Sequence, residues 1–188
     1  MTIFKRAYQF RGILVSPPLL FAIFSFSHEI ENDWLIWPLG ILTFILGFTL
    51  RIWAQQHIHY RLDIRRHLTT TGPYSFVRNP IYIGNTLICL SATILSELLW
   101  LIPVTIVWCA VVYSLVVHYE ETRLKELYGE EYLRYMSETP RWTPNFLNIK
   151  NIKLINQYFG ISILAEIHCF LILVPFVLKE IISSWFQH

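Results

Sequence analysis

Long apolar runs separated by short polar segments make up most of the chain. No Asp, Glu, Lys or Arg occurs in residues 12–28, 34–50, 79–96 or 98–119, and Glu166 alone interrupts residues 154–178. Each run approaches the roughly 20 residues that a helix needs to cross a bilayer core. The pattern predicts an all-α polytopic membrane protein with about five transmembrane helices in a single domain, 1–188.

Two of these runs contain residues that predict how their helices behave. Pro17 and Pro18 lie in the middle of the first run and predict a kinked or broken helix, because proline removes backbone donors. Gly40 and Gly47 in the second run predict a close approach to a neighbouring helix. The second run continues without a turn signal as far as Arg61.

The distribution of Lys and Arg predicts the orientation of the chain. Basic residues cluster before the first run, between the second and third, and after the fourth, which predicts that the N-terminus and these segments are cytoplasmic. The net charge of +2 is explained by this topology, so we expect a lipid bilayer as partner and no nucleic acid. Nothing in the sequence indicates an oligomeric state.

Cysteine and histidine spacing argues against a metal site. Cys89, Cys109 and Cys169 all lie in apolar runs, so we expect buried thiols. His57, His59 and His67 have no acidic or cysteine partner at ligand spacing. We predict no metal.

Residues 68–84, which read L-T-T-T-G-P-Y-S-F-V-R-N-P-I-Y-I-G, interrupt the apolar pattern. Gly72-Pro73 predicts a turn, and Asn79-Pro80 predicts a second break in helical structure. Irregular backbone at membrane depth is tolerated only where it is buried in protein or lines a cavity. This stretch is therefore a candidate site.

A polar extension follows the fourth run. Val116, Glu120 and Leu124 share one helix face, and Glu121 and Lys125 are spaced as an exposed ion pair. Gly129 predicts a helix end, after which residues 130–132 open another short helix. The proline-framed segment T-P-R-W-T-P, residues 139–144, predicts a lid or wall.

Four features follow one another along the chain. They are the motif G-P-Y-S-F-V-R-N-P-I-Y-I-G, a predicted helical hairpin, the segment E-E-T-R-L-K-E-L-Y-G-E-E-Y-L-R-Y and the segment T-P-R-W-T-P. This combination resembles the isoprenylcysteine carboxyl methyltransferases, their bacterial relatives and the phospholipid methyltransferases. The resemblance covers about residues 50–146, and the spans at 12–28 and 158–178 are additions to it. It implies a membrane methyltransferase that takes S-adenosylmethionine from the cytoplasmic side and a lipophilic or prenylated acceptor from the bilayer.

The resemblance also implies the site residues. Cofactor contacts fall on residues before the turn, around the second proline and near the end of the fourth run: Arg66, His67, Leu68, Thr69, Tyr74, Arg78, Asn79, Pro80, Ile81, Tyr82, Glu120 and Glu121. The acceptor is expected near Arg141, Trp142 and Val116. A carboxylate at Glu120 suits a donor that carries an ammonium and a sulfonium.

Two positions depart from the family pattern. Asn79 stands where relatives often have histidine, and asparagine cannot act as an acid or base. Val116 stands where prenylcysteine enzymes resemble one another in having an arginine for the substrate carboxylate. Either the acceptor is not a prenylcysteine carboxylate, or another cation such as Arg141 takes over that role. Carboxyl O-methylation is favoured because methyl transfer then needs mainly alignment, and no catalytic base is assigned. An amine or phenol acceptor would have to lose a proton, which His118, His59 or Glu121 could receive.

Other interpretations remain open at this stage. A membrane reductase of related fold would bind NADPH, with the 2′-phosphate near Arg61, Arg65 and Arg66. A non-catalytic scaffold or assembly protein would bind neither cofactor.

Glu166 and His168 lie in the last apolar run, where an acid is costly unless it is paired or protonated. We expect Glu166 to pair with His168 or with an arginine of another helix, outside the site.

Overall fold

The computed structural model of the chain describes residues 2–25, 33–63, 67–145 and 154–186. Within these ranges the chain is helical and has no strand, which confirms the all-α prediction. The α-helices are α1 (Thr2–Gln9), α2 (Arg11–Phe24), α3 (Asp33–Asp63), α4 (Pro80–Leu95), α5 (Leu101–Tyr128), α6 (Glu130–Glu138), α7 (Phe159–Glu166) and α8 (Val174–Phe186), with 3-10 turns at Gly72–Ser75 and Ile167–Ile172.

Three stretches of the described chain are long and apolar enough to span a membrane: Trp34–Ile58, Leu101–Tyr128 and Phe159–Ile182. The bent pair α1 and α2 would make a fourth. Helix α4 is apolar but has only 16 residues, about 24 Å at 1.5 Å per residue, which is less than the roughly 30 Å of a bilayer core. The structure therefore supports three or four of the five predicted spans.

Of the kink or break predicted at Pro17 and Pro18, the break is wrong. Helix α2 continues through both prolines, and the chain instead bends by 64° at Phe10, between α1 and α2. Proline at these two positions leaves the carbonyl groups of Ile13 and Leu14 without helical donors. The Ser16 hydroxyl donates to the Ile13 carbonyl (2.8 Å), and the Trp108 indole donates to the Leu14 carbonyl (2.7 Å). The helix persists because both acceptors are satisfied by side chains.

Helices α3 and α4 form the closest helix pair, and glycines make their approach possible. A Cβ atom at Gly47 would lie 2.8 Å from the carbonyl oxygen of Gly84, and one at Gly84 would lie 2.9 Å from the carbonyl oxygen of Gly47. A Cβ at Gly40 would lie 2.6 Å from the Leu95 side chain. The predicted role of Gly40 and Gly47 in close helix contact is confirmed.

The remaining helices pack around this pair and leave apolar side chains facing outward. Helix α5 returns beside α4. Helix α1 packs on the end of α5, where the ring centroids of Phe4 and His118 lie 4.6 Å apart. Phe170 of the last span packs against Phe48 of α3, with ring centroids 4.8 Å apart. Exposed apolar side chains cover the outer faces of α3, α5, α7 and α8. Such faces suit contact with lipid tails.

Substituting Gly47→Ala should destabilise the protein by about 1–3 kcal/mol, because the added methyl group meets fixed backbone of α4. Gly160→Ala is the matched control, since a Cβ at Gly160 has no atom within 4 Å. Thermal unfolding of the detergent-purified variants, followed by tryptophan fluorescence, measures the difference. Equal unfolding midpoints for the two variants would contradict the close approach of α3 and α4.

Candidate functional site

A cavity of about 930 Å³ lies where α3, the loop after it, the start of α4, the end of α5, α6 and α7 meet. Nine residues predicted from the sequence line it: Leu68, Thr69, Tyr74, Arg78, Asn79, Ile81, Tyr82, Glu120 and Glu121. These residues come from two separated motifs, and the fold brings both to one cavity.

The loop that forms one wall of the cavity is clamped against α3. Gly72 has φ +62°, and its Cα faces the buried His57, so closely that a Cβ would lie 2.3 Å from His57 Nε2. His57 Nδ1 lies 2.8 Å from the Thr71 hydroxyl. The Tyr135 hydroxyl of α6 donates to the Tyr74 carbonyl (2.7 Å). Only glycine fits this turn, because the position demands both a positive φ and an absent side chain.

The segment 139–145 closes over the same loop by backbone pairing. The Arg78 N–H donates to the Pro140 carbonyl (2.9 Å), and the Asn145 N–H donates to the Phe76 carbonyl (2.9 Å). The side-chain amide of Asn79 donates to the Arg141 carbonyl (3.2 Å). Asn79 therefore fastens this segment to the start of α4, in addition to lining the cavity.

The buried carboxylate of Glu121 links α5 to both segments. Arg78 Nη1 lies 3.0 Å from one of its oxygens, and Arg141 donates to it from Nε (3.0 Å) and from Nη2. Glu121 is 4% exposed. The expected exposed pair of Glu121 with Lys125 is therefore wrong: the face of α5 that bears Glu121 is covered by the loops, and two arginines take the carboxylate.

Glu120, the preceding residue, faces the cavity. Successive residues of a helix point about 100° apart, and the Glu120 carboxylate lies beside the Tyr82 hydroxyl while Glu121 points to the arginines. Arg11 and Arg123 are its neighbouring cations. Among the described residues none forms a salt bridge with Glu120. The carboxylate is available to a cationic ligand.

Several buried donors at the cavity also lack partners. Arg78 Nε and Nη1 and the Thr69 hydroxyl are fully buried, and no residue of the described chain accepts a hydrogen bond from them. The 3.0 Å approach of Arg78 Nη1 to Glu121 is thus an ion pair without hydrogen-bond alignment. Burial raises the pKa of the nearby Tyr132 hydroxyl to about 12, and the negative charge of Glu121 is the second largest cause of the increase. Tyr132 therefore stays protonated at neutral pH. Arg78 and Thr69 line the cavity, so a ligand that bears acceptor atoms would offer partners to these donors.

Five other predicted residues do not line this cavity. His67 is exposed, Pro80 is buried at the start of α4, and Val116 is fully buried in the core. Arg141 is bound to Glu121, and Trp142 packs on the core near Tyr113 and lines a separate apolar cavity of about 240 Å³. Arg66, like Arg65, lies outside the described residues, and nothing is described of the side chains of His59 and Arg61.

Residues outside the predicted site complete the cavity. The sequence did not point to Tyr8, Arg11, Arg51, Gln55 and Asn85, whereas Glu166 and His168 were expected outside the site. Arg51 donates to Glu166 from Nε (2.8 Å) and Nη2 (2.5 Å). Of the alternatives left open for Glu166, pairing with an arginine of another helix is the one that the structure shows, and the pair borders the cavity. The available signal was an acid inside one apolar run and an arginine at the end of another, since intramembrane charges pair.

Comparison with known proteins identifies the class to which this helical fold and polar cavity belong. The family model for phospholipid methyltransferases matches residues 35–131. That match covers more than half of the chain, and the chain belongs to this family.

Individual relatives are similar at low identity. A protein-S-isoprenylcysteine O-methyltransferase B of Arabidopsis thaliana is 28% identical over 157 residues, 73% of each chain. A phosphatidylethanolamine N-methyltransferase B of Dictyostelium discoideum is 29% identical over 140 residues, 70% of this chain and 64% of the relative.

A cobalt-zinc-cadmium resistance protein of Cupriavidus metallidurans is 31% identical over 110 residues, 58% of this chain and 50% of the relative. The chain thus spans between half and three quarters of the length of these relatives. No solved structure gives a significant match.

Removing the Glu121 charge should destabilise the protein strongly. Glu121→Gln leaves the buried Arg78 beside a neutral amide, and the loss should be on the order of 3 kcal/mol, as for other broken buried pairs. Glu138→Gln is the control, because its bridge to Arg134 (3.1 Å) is exposed and should contribute less than about 0.5 kcal/mol. Thermal unfolding of both variants gives the comparison. A Glu121→Gln midpoint equal to that of the control would exclude Glu121 as the link.

Proposed function

We propose that the protein is an S-adenosylmethionine-dependent methyltransferase that acts at the membrane on a lipid-like or prenylated acceptor, with carboxyl O-methylation as the favoured reaction. The observation that carries this proposal is that two features meet at one cavity: Glu120, which has no salt bridge within the described chain, and buried donors that have no hydrogen-bond acceptor there. A cofactor with an ammonium, a carboxylate and many acceptor atoms matches both. Membership of the phospholipid methyltransferase family supports the same reaction class.

The residues present fit this cofactor. Glu120 would hold its cationic portion by charge-assisted hydrogen bonds. Arg78 Nε and Nη1 and the Thr69 hydroxyl would donate to its carboxylate or its ring and ribose acceptors, which would satisfy donors that otherwise remain orphaned. Tyr74 and Tyr82 offer flat faces at the cavity wall. When bound, S-adenosylmethionine supplies an activated methyl group.

The contribution of the chain to the reaction would be alignment and exclusion of water. The clamped loop and the segment 139–145 fix the cofactor-side residues, which favours a reaction whose main requirement is an in-line approach of donor and acceptor. A carboxylate acceptor would need no general base. The relatives named as isoprenylcysteine and phosphatidylethanolamine methyltransferases make both carboxyl and amine acceptors reasonable to test.

We also propose the topology expected from the sequence: five spans with the N-terminus and the cofactor end of the cavity cytoplasmic. The shortness of α4 is compatible with this arrangement, because α4 packs against both α3 and α5 and most of its side chains are buried. The basic segments before α2, after α3 and after α5 lie on the proposed cytoplasmic side.

Calorimetric titration of the detergent-purified protein with S-adenosylhomocysteine tests the cofactor assignment. We expect saturable binding, weakened at least about tenfold by Glu120→Gln, because a hydrogen bond to a charged group contributes about 1.5–3 kcal/mol. Glu130→Gln in α6 is the control, since Glu130 is exposed and does not line the cavity. Unchanged affinity in Glu120→Gln would contradict the assignment, and binding of NADPH in place of S-adenosylhomocysteine would favour a reductase.

A further inference from the structure

The inner part of the cavity is built by residues that the family match only partly includes. Arg51 and Gln55 of α3 and Asn85 of α4 face Glu166 and His168 of the C-terminal span, which lies beyond residues 35–131. Arg51 and Glu166 both lie inside stretches long and apolar enough to span a membrane.

Arg51 is held in place by Glu166, but not all of its guanidinium donors have a hydrogen-bond acceptor among the described residues. Its Nε and Nη2 atoms donate to a single oxygen of Glu166, Oε2, which also accepts from the Cys169 thiol (3.5 Å). A guanidinium has five N–H donors, and Arg51 Nη1 makes no hydrogen bond to any described residue. Gly84 makes room for the arginine stem, since a Cβ there would lie 2.7 Å from Arg51 Cγ.

Other cations near the cavity are less suited to an acceptor. Arg141 is bound to Glu121 and does not line the cavity, and Val116 is a buried apolar residue. Arg11 donates to the Tyr8 carbonyl (3.0 Å) and lies over the Tyr8 ring. Arg51, in contrast, lines the cavity and keeps Nη1 without a hydrogen bond to any described residue.

We propose that Arg51 receives an anionic oxygen of the acceptor headgroup, a carboxylate or a phosphate, and that Glu166 is the positioning residue that aims it into the cavity. The side-chain amides of Gln55 and Asn85 add donors at the same place. Arg51 Nη1 remains as a donor for a ligand, since Nε and Nη2 both donate to Glu166 Oε2. This proposal rests on the proposed methyltransferase function and deepens it.

The test compares anionic probes with neutral analogues in detergent micelles containing S-adenosylhomocysteine. N-acetyl-S-farnesylcysteine and its methyl ester examine a carboxylate, and dioleoyl phosphatidic acid and dioleoylglycerol examine a phosphate. For the wild type we expect one anionic probe to bind at least tenfold more tightly than its neutral partner. The pair that shows the preference identifies which anion Arg51 receives.

The main variant is the double substitution Arg51→Gln/Glu166→Gln, which removes both charges and leaves no buried ion unpaired. It should lose the preference for the anion while its affinity for S-adenosylhomocysteine stays within twofold of the wild type. Arg51→Lys should retain part of the preference, because it keeps the charge without the guanidinium fork. Lys179→Met is the control: it removes a charge of the same span that contacts the Ala22 carbonyl (2.9 Å), and it should retain the full preference.

Two results would overturn the proposal: a preference that survives in the double variant, or a wild type that prefers neither anionic probe. Loss of the preference for the anionic probe in Lys179→Met would also overturn the proposal, since any disturbance of the last span would then be enough to abolish that preference. Failure of the wild type to bind S-adenosylhomocysteine would instead reject the proposed function, and probe binding can still be measured in that case.

Discussion

The ion pairs of Glu121 with Arg78 and Arg141 are the interaction on which the rest of the site depends. A carboxylate that is 4% exposed needs positive partners, and these two arginines come from the loop before α4 and from the segment after α6. One side chain of α5 thereby fixes both walls of the cavity. Because α5 is a regular helix there, Glu120 turns toward Tyr82 and the cavity.

The ends of the chain also contribute to the cavity. Tyr8 of α1 and Arg11 at the start of α2 line it, and the C-terminal span brings Glu166 and His168. Arg51 and Glu166 also lock that span to α3, since an unpaired charge at that depth would be costly.

Local patterns in the sequence predicted the helices well, because the length of an apolar run and the position of Gly129 are local properties. The sequence also predicted that the two motifs meet, through their resemblance to a known family. Prediction from the sequence failed where side-chain contacts outside the local pattern decide the structure. Pro17 and Pro18 did not break α2, because the Trp108 indole and the Ser16 hydroxyl satisfy the freed carbonyl groups. The face of α5 at Glu121 looked exposed in the sequence. It is covered by Arg141 and Arg78, which lie 20 and 43 positions away along the chain.

The measurement that tests the central claim most directly is an experimental structure of the protein with S-adenosylhomocysteine bound. We expect the ligand in the cavity beside the clamped loop, with its ammonium within salt-bridge distance of Glu120 and its acceptor atoms on Arg78 or Thr69. Glu121 should still hold Arg78 and Arg141. A ligand bound elsewhere, or one in this cavity with Glu120 turned away from it, would contradict the account.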